Sequence, residues 1–277
     1  MIDRLFVSDL DKTLLRTDMS ISSFTQATWN SLVDREVKLT IATARSGTKT
    51  RELLKNLKLH HPLIVMDGAM IISPEGDILM SNALTFSEVE DILSISAYHD
   101  IQPFVIGSDE KGVERFRYSK VNALQEQLLT DYTKDKRLQN VEKLTPLKEN
   151  VKIVYIGEKE PIGKLKEEFI QKLGSSVEVK CQKDVYLDGY FLTILHPKGD
   201  KAHALESLRE MIGVGEECLT VFGDSSNDMG MFTLANEKIA VKNALDELKI
   251  IATLTLPDTN DEDAVAKYLE KRSKNLI

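Results

Sequence analysis

Only two cysteines occur in 277 residues. Cys181 and Cys218 stand far apart, with no C-x-x-C pair and no histidine at metal spacing, which argues against a disulfide framework and a zinc site. Both are expected to be small buried hydrophobes. Long apolar runs are missing too: no stretch approaches a membrane span, and Asp3 and Arg4 interrupt the one place where a leader's apolar core could begin. The expectation is a cytoplasmic protein that meets no membrane. Positive charge is in deficit, with 36 Lys and Arg against 44 Asp and Glu and a net charge of -8. That sign is unsuited to nucleic acid or anionic lipid, because both need basic patches to displace counterions. Aromatic residues make up 6%, and the single tryptophan, Trp29, is expected in the core. What the chain does have is 42% hydrophobic content, enough for one large or two moderate domains.

Short apolar runs alternate with helical patterns at the start: Leu5 to Val7, a helix through Trp29 and Leu32, Val37 to Ala42, a helix through Leu53 and Leu57, then Leu63 to Met66. This is the βαβ rhythm of a parallel sheet, and the unbroken apolar strands suit a sheet covered on both faces. Residues 69–73 and 77–80 read as a hairpin around Pro74-Glu75-Gly76. From about residue 84 the pattern changes to paired strands with helices between, and βαβ order resumes at the helix carrying Ala202, Leu205 and Leu208. The fold class expected is α/β: a doubly wound, Rossmann-like parallel sheet core from residues 1–83 and 195–277, with an inserted α+β cap domain at 84–194.

Four segments end apolar strands or open helices with polar residues at the carboxyl edge, where such sheets bind ligands. In Asp9-Leu10-Asp11-Lys12-Thr13, strand periodicity would put both aspartates toward one small volume, a place for a divalent cation. The same residues also write an ordinary turn or helix cap. Thr43 precedes a helix and suits a phosphate oxygen, or caps that helix. Lys201 stands at a helix start, where a cation is poorly placed for the dipole unless an anion is nearby. Gly223-Asp224-Ser225-Ser226-Asn227-Asp228 packs more acid and amide groups into one turn than Asx turns require. None of the five histidines has metal spacing.

In this order the four segments resemble the haloacid dehalogenase (HAD) superfamily of phosphatases, and the G-D-x-x-N-D form with a large insertion resembles its Cof-like branch. Asp67-Gly68-Ala69 stands where that branch usually has Asn-Gly-Ala. Lys242-Asn243-Ala244 and Asn260-Asp261-Glu262-Asp263-Ala264-Val265 resemble two further segments, the last with Ala264 for a usual Gly. The resemblance implies hydrolysis of a small phosphorylated metabolite, a sugar phosphate or a cofactor phosphate, through an aspartyl phosphate. Asp9 would be the nucleophile, Asp11 the acid and base, and Thr43 and Lys201 would complete the catalytic set. Mg²⁺ would be held by the Asp9 carboxylate, the Asp11 backbone carbonyl and Asp224, with Asn227 and Asp228 touching the ion or standing just behind its ligands. Arg45, Asp67, Gly68 and Asn227, with Thr43 and Lys201, would line the phosphate site. Lys183, Asp188 and Tyr190 are weaker candidates for substrate contact from the cap. A phosphotransferase or phosphomutase using the same aspartyl phosphate, or a phosphoaspartate switch, would need the same first residues. Asp11 speaks against the switch, since a long-lived phosphoaspartate gains nothing from a positioned acid and base. Oligomeric state is not legible.

Overall fold

The computed structural model describes residues 4–130, 132–183 and 187–273. They divide into two compact units, one built from Met1–Ser81 and Asp200–Ile277 and the other from Asn82–Gly199. The sequence puts the divisions at 83/84 and 194/195. Leu195 closes a strand of the second unit, opposite Lys152 and Glu178, so that strand lies wholly on the far side of the division.

The first unit opens with β1 (Leu5–Ser8), α1 (Ser23–Val33), β2 (Lys38–Ile41), α2 (Gly47–Leu53), β3 (Leu63–Val65), β4 (Met70–Ile72) and β5 (Ile78–Ser81). Hydroxyl caps start both helices: Ser22 Oγ accepts the Thr25 N–H and Ser46 Oγ the Lys49 N–H. Trp29 is buried, as expected, and its Nε1 donates to the Lys58 carbonyl.

The second unit holds α3 (Phe86–Ser96), β6 (Phe104–Ser108), β7 (Glu114–Tyr118), α4 (Ala123–Thr130), β8 (Leu138–Asn140), β9 (Glu149–Gly157), α5 (Lys159–Leu173), β10 (Glu178–Lys183) and β11 (Tyr190–Leu195). Its sheet runs β10-β11-β9-β6-β7-β8. Alternation along the strands gives it two apolar faces. Val105, Ile153, Tyr155, Leu192 and Ile194 pack with Val89 and Ile92 of α3 and Ile162, Leu165 and Phe169 of α5. Phe104, Val154 and Ile156 point the other way and pack with Leu124 and Leu128 of α4.

The first unit resumes with α6 (Lys201–Met211), β12 (Leu219–Gly223), α7 (Met229–Leu234), β13 (Glu237–Ala240), α8 (Asp246–Ile251), β14 (Leu254–Thr255) and α9 (Ala264–Ser273). Its main sheet has the order β14-β13-β12-β1-β2, with every pairing parallel. β1 and β12, the first strands of the unit's two chain segments, are neighbours with Ser8 opposite Phe222. The expected α/β core with an inserted α+β unit is what the chain forms.

Three expectations need correction. The run at Leu63–Met66 does not become a full member of the parallel sheet. It touches that sheet only through a bridge between Ala42 and Ile64, and pairs antiparallel with β4 instead. The cause is local, since Met66, Asp67 and Gly68 all take positive φ (52°, 63° and 101°) and turn the chain back on itself. The hairpin predicted next is present as β4–β5. Neither cysteine is fully buried: Cys181 packs at the edge of the second unit's core and Cys218 lies in the turn before β12. Finally, β1 stops at Ser8, so strand periodicity does not reach Asp11. Among the described residues no helix is long and apolar enough to cross a membrane.

Candidate active site

Because β1 and β12 are parallel neighbours, the residues that follow them emerge side by side. The Asp9 N–H donates to the Phe222 carbonyl at 2.9 Å, holding the two exits together. Asp9, Asp224 and Asp228 are all buried, and each offers a carboxylate oxygen within 4.8 Å of the others. Lys201 closes the cluster, with Nζ donating to Asp9 Oδ1 at 2.6 Å and Asp228 Oδ1 at 2.8 Å, and it is itself only 1% exposed. Two glycines make this packing possible. A Cβ on Gly68 would fall 2.0 Å from the Asp200 carbonyl, so the loop after β3 can lie against the start of α6 only without a side chain. A Cβ on Gly223 would meet the Asp228 side chain at 2.6 Å.

The carboxylates have different duties. Asp228 is tied down at both oxygens: Oδ1 receives Lys201, while Oδ2 accepts the Asp224 and Ser225 N–H groups at 3.0 and 3.2 Å. Thr13 Oγ1 donates to Asp224 Oδ1 at 3.1 Å. That leaves Asp9 Oδ2 and Asp224 Oδ2 with no hydrogen-bond partner among the described residues. Burial pushes the Asp9 carboxyl well above the usual carboxylate range; Lys201 pulls the other way and Asp228 adds to the rise. Burial, with Asp228 beside it, pushes Asp224 up to about 6. For Lys201, burial works against the charge, but Asp9 and Asp228 overcome it and hold the ammonium above its ordinary range. The two carboxyls are raised first by burial and then by their crowding with Asp228, whereas the Lys201 ammonium is held by its two carboxylate partners against burial.

The other predicted residues surround this cluster without all joining it. Asp11 lies past the end of β1 in a turn where Lys12 has φ 56°, and its carboxylate is clasped by Arg45, with Nε at 2.9 and 2.7 Å and Nη2 at 2.5 Å. Its side chain is 42% exposed. Asn227 likewise turns from the cluster, donating from Nδ2 to Asp67 Oδ1 at 3.1 Å. Thr43 is buried, gives its N–H to Ile64 and accepts the Arg45 N–H at Oγ1, so it does not cap α2, a task that falls to Ser46. In the other unit, Lys183 pairs with Asp188 at 3.0 Å and Tyr190 leans on the core.

Sequence reasoning missed the braces of the loop after β1. Asn243 Nδ2 donates to the Lys12 carbonyl and its Oδ1 accepts the Asn260 N–H, while Asn260 Nδ2 donates to the Leu15 carbonyl at 3.0 Å. Both segments stand out in the sequence by resemblance, but nothing local in them says what the two amides hold.

A sequence profile described as haloacid dehalogenase-like hydrolase matches residues 6–269. The chain belongs to this family. Among similar HAD-family proteins, the HMP-PP phosphatase of Cronobacter sakazakii is 27% identical, across 96% of this chain and 94% of its own length. The 5-amino-6-(5-phospho-D-ribitylamino)uracil phosphatase YitU of Bacillus subtilis is 26% identical across 96% of each chain. A solved haloacid dehalogenase-like hydrolase from Bacteroides thetaiotaomicron has the same fold, with a TM-score of 0.78 at 23% identity over 97% of this chain and 99% of that one. A solved HAD/COF-like hydrolase from Plasmodium vivax also shares the fold, with a TM-score of 0.72 at 19% identity over 99% of this chain and 96% of that one. The buried acidic cluster of this HAD-family chain can seat a divalent cation.

Proposed function

We propose that this chain is a Mg²⁺-dependent phosphatase acting on a small phosphorylated metabolite, a sugar phosphate or a cofactor phosphate. One observation carries the reading: three buried carboxylates, Asp9, Asp224 and Asp228, converge on one buried ammonium. Counted formally, they leave two negative charges uncompensated, the charge of one divalent cation. An all-oxygen donor set with two unpartnered carboxylate oxygens fits a hard ion such as Mg²⁺, which keeps several waters and shares a phosphate oxygen. Asp9 and Asp224 would hold it, with Asp228 fastened behind them. When bound, such an ion neutralises charge on the phosphate oxygens. The phosphatase names of the relatives support the reaction class.

The chain's own residues then have separable tasks. A carboxylate oxygen of Asp9 attacks phosphorus, the bond from phosphorus to the leaving oxygen breaks, and Asp11 gives that oxygen its proton. Water next attacks the aspartyl phosphate, Asp11 takes the proton back, and free phosphate and the Asp9 carboxylate are regenerated. Lys201 is fixed by two carboxylates and carries a third N–H for a phosphate oxygen; the Thr43 hydroxyl serves another. Arg45 orients the Asp11 carboxylate through Nε and Nη2 together, the two-pronged edge of a planar guanidinium. The test is phosphate release from hexose phosphates, pyridoxal phosphate, flavin mononucleotide and phosphoglycolate, with Mg²⁺ or with a chelator. Metal-dependent turnover on at least one is expected. Release that ignores the chelator, or none from any compound, would overturn the reading.

A further inference from the structure

We propose that Asp67 is a specificity-determining residue: its charge admits phosphomonoesters whose leaving group is neutral or cationic beside the scissile phosphate, and turns away substrates that carry a second phosphate there. This rests on the phosphatase reading and adds the substrate class to it. Asp67 is placed by backbone contacts to both halves of the phosphate site. Its N–H donates to the Thr43 carbonyl at 2.9 Å. Its neighbour Gly68 bridges to Asp200 and lies against the Lys201 N–H end of that segment. Its Oδ1 accepts from Asn227 Nδ2, one residue from the buried Asp228.

Two features of the position explain the residue type only in part. The φ of 63° at Asp67 is a left-handed value that aspartate and asparagine tolerate better than most residues. The Asn227 amide requires an oxygen acceptor. An asparagine would meet both demands, so the negative charge is what remains to be accounted for. Lys201 feels the Asp67 charge but gives its hydrogen bonds to Asp9 and Asp228, and Arg45 clasps Asp11, so neither cation pairs with Asp67 directly among the described residues. Asp67 Oδ2 has no partner among the described residues, and the residue is half-buried. A half-buried carboxylate there accepts a hydrogen bond from a substrate hydroxyl or ammonium and repels a second phosphate through a dielectric lower than water's.

The experiment is inhibition of p-nitrophenyl phosphate hydrolysis by orthophosphate and by pyrophosphate, at fixed free Mg²⁺, in wild type and Asp67→Asn. Orthophosphate fills only the scissile position; pyrophosphate adds the second phosphate. The ratio of the pyrophosphate to the orthophosphate inhibition constant should fall by about three- to tenfold in Asp67→Asn, and the difference should shrink as salt screens the charge. Asp67→Gly, which also accepts the backbone angle, should move the ratio the same way. An unchanged ratio in variants that still hydrolyse p-nitrophenyl phosphate would overturn this inference alone. A wild type that releases phosphate with Mg²⁺ neither from p-nitrophenyl phosphate nor from any compound of the metabolite panel would instead remove the phosphatase reading, and this inference with it.

Discussion

Lys201 shows how much a single side chain can carry. Its ammonium is buried and bound by two carboxylates, and removing it would leave Asp9 and Asp228 buried without their ion-pair partner. Breaking a buried ion pair from one side typically costs about 3–5 kcal/mol. Lys201→Met should therefore lower stability to urea by about that amount in chelator, and Mg²⁺ should recover part of the loss. Asp224 makes a second residue-scale prediction. Its folded carboxyl is raised to about 6, against about 3.9 in an unfolded chain. The folded state then binds the proton more tightly, so the stability Asp224 contributes is present below about pH 4 and is lost as pH rises through about 6. In chelator the urea midpoint should fall across that window, and Asp224→Asn should flatten the fall.

The elements explain what could and could not be read in advance. β1 and β12 were legible as unbroken apolar strands, and their ends delivered Asp9, Asp224 and Asp228 to one place with Lys201, since parallel neighbours leave the sheet at the same edge. The direction of Asp11 was not legible, because strand periodicity stops with the strand at Ser8 and a positive φ at Lys12 follows. The departure of β3 from the main sheet was hidden for the same reason, in the three positive φ angles at 66–68. β8 and the short elements from β13 to β14 run over too few residues to be assigned one by one. The braces at Asn243 and Asn260 join residues more than two hundred positions apart, which no local pattern encodes. Asn260→Ala should strand the buried Leu15 carbonyl and cost about 1–3 kcal/mol in urea unfolding. It should also lower kcat, since the loop that carries Asp11 loses its anchor.

At the scale of the whole molecule, the acidic surface and the acidic site are different facts. The net charge of -8 is spread over exposed groups that salt screens, whereas the cluster is buried and answers to a specific ion. Every residue assigned to the cation lies in the unit formed by the two ends of the chain. Mg²⁺ at a hundred times its dissociation constant should stabilise that unit by about 2.7 kcal/mol. Calorimetry should register the shift in wild type and lose it in Asp224→Asn.

The central claim, that Asp9 becomes phosphorylated and Asp11 governs the second half of the reaction, is tested most directly with Asp11→Asn and p-nitrophenyl phosphate. Nitrophenolate leaves without a proton, so the first step survives the substitution while hydrolysis of the aspartyl phosphate does not. Rapid mixing should give one equivalent of nitrophenolate per enzyme followed by slow turnover, with label retained on the peptide containing Asp9 and absent in Asp9→Asn. Steady turnover without a burst in Asp11→Asn, or a burst that persists in Asp9→Asn, would contradict the account.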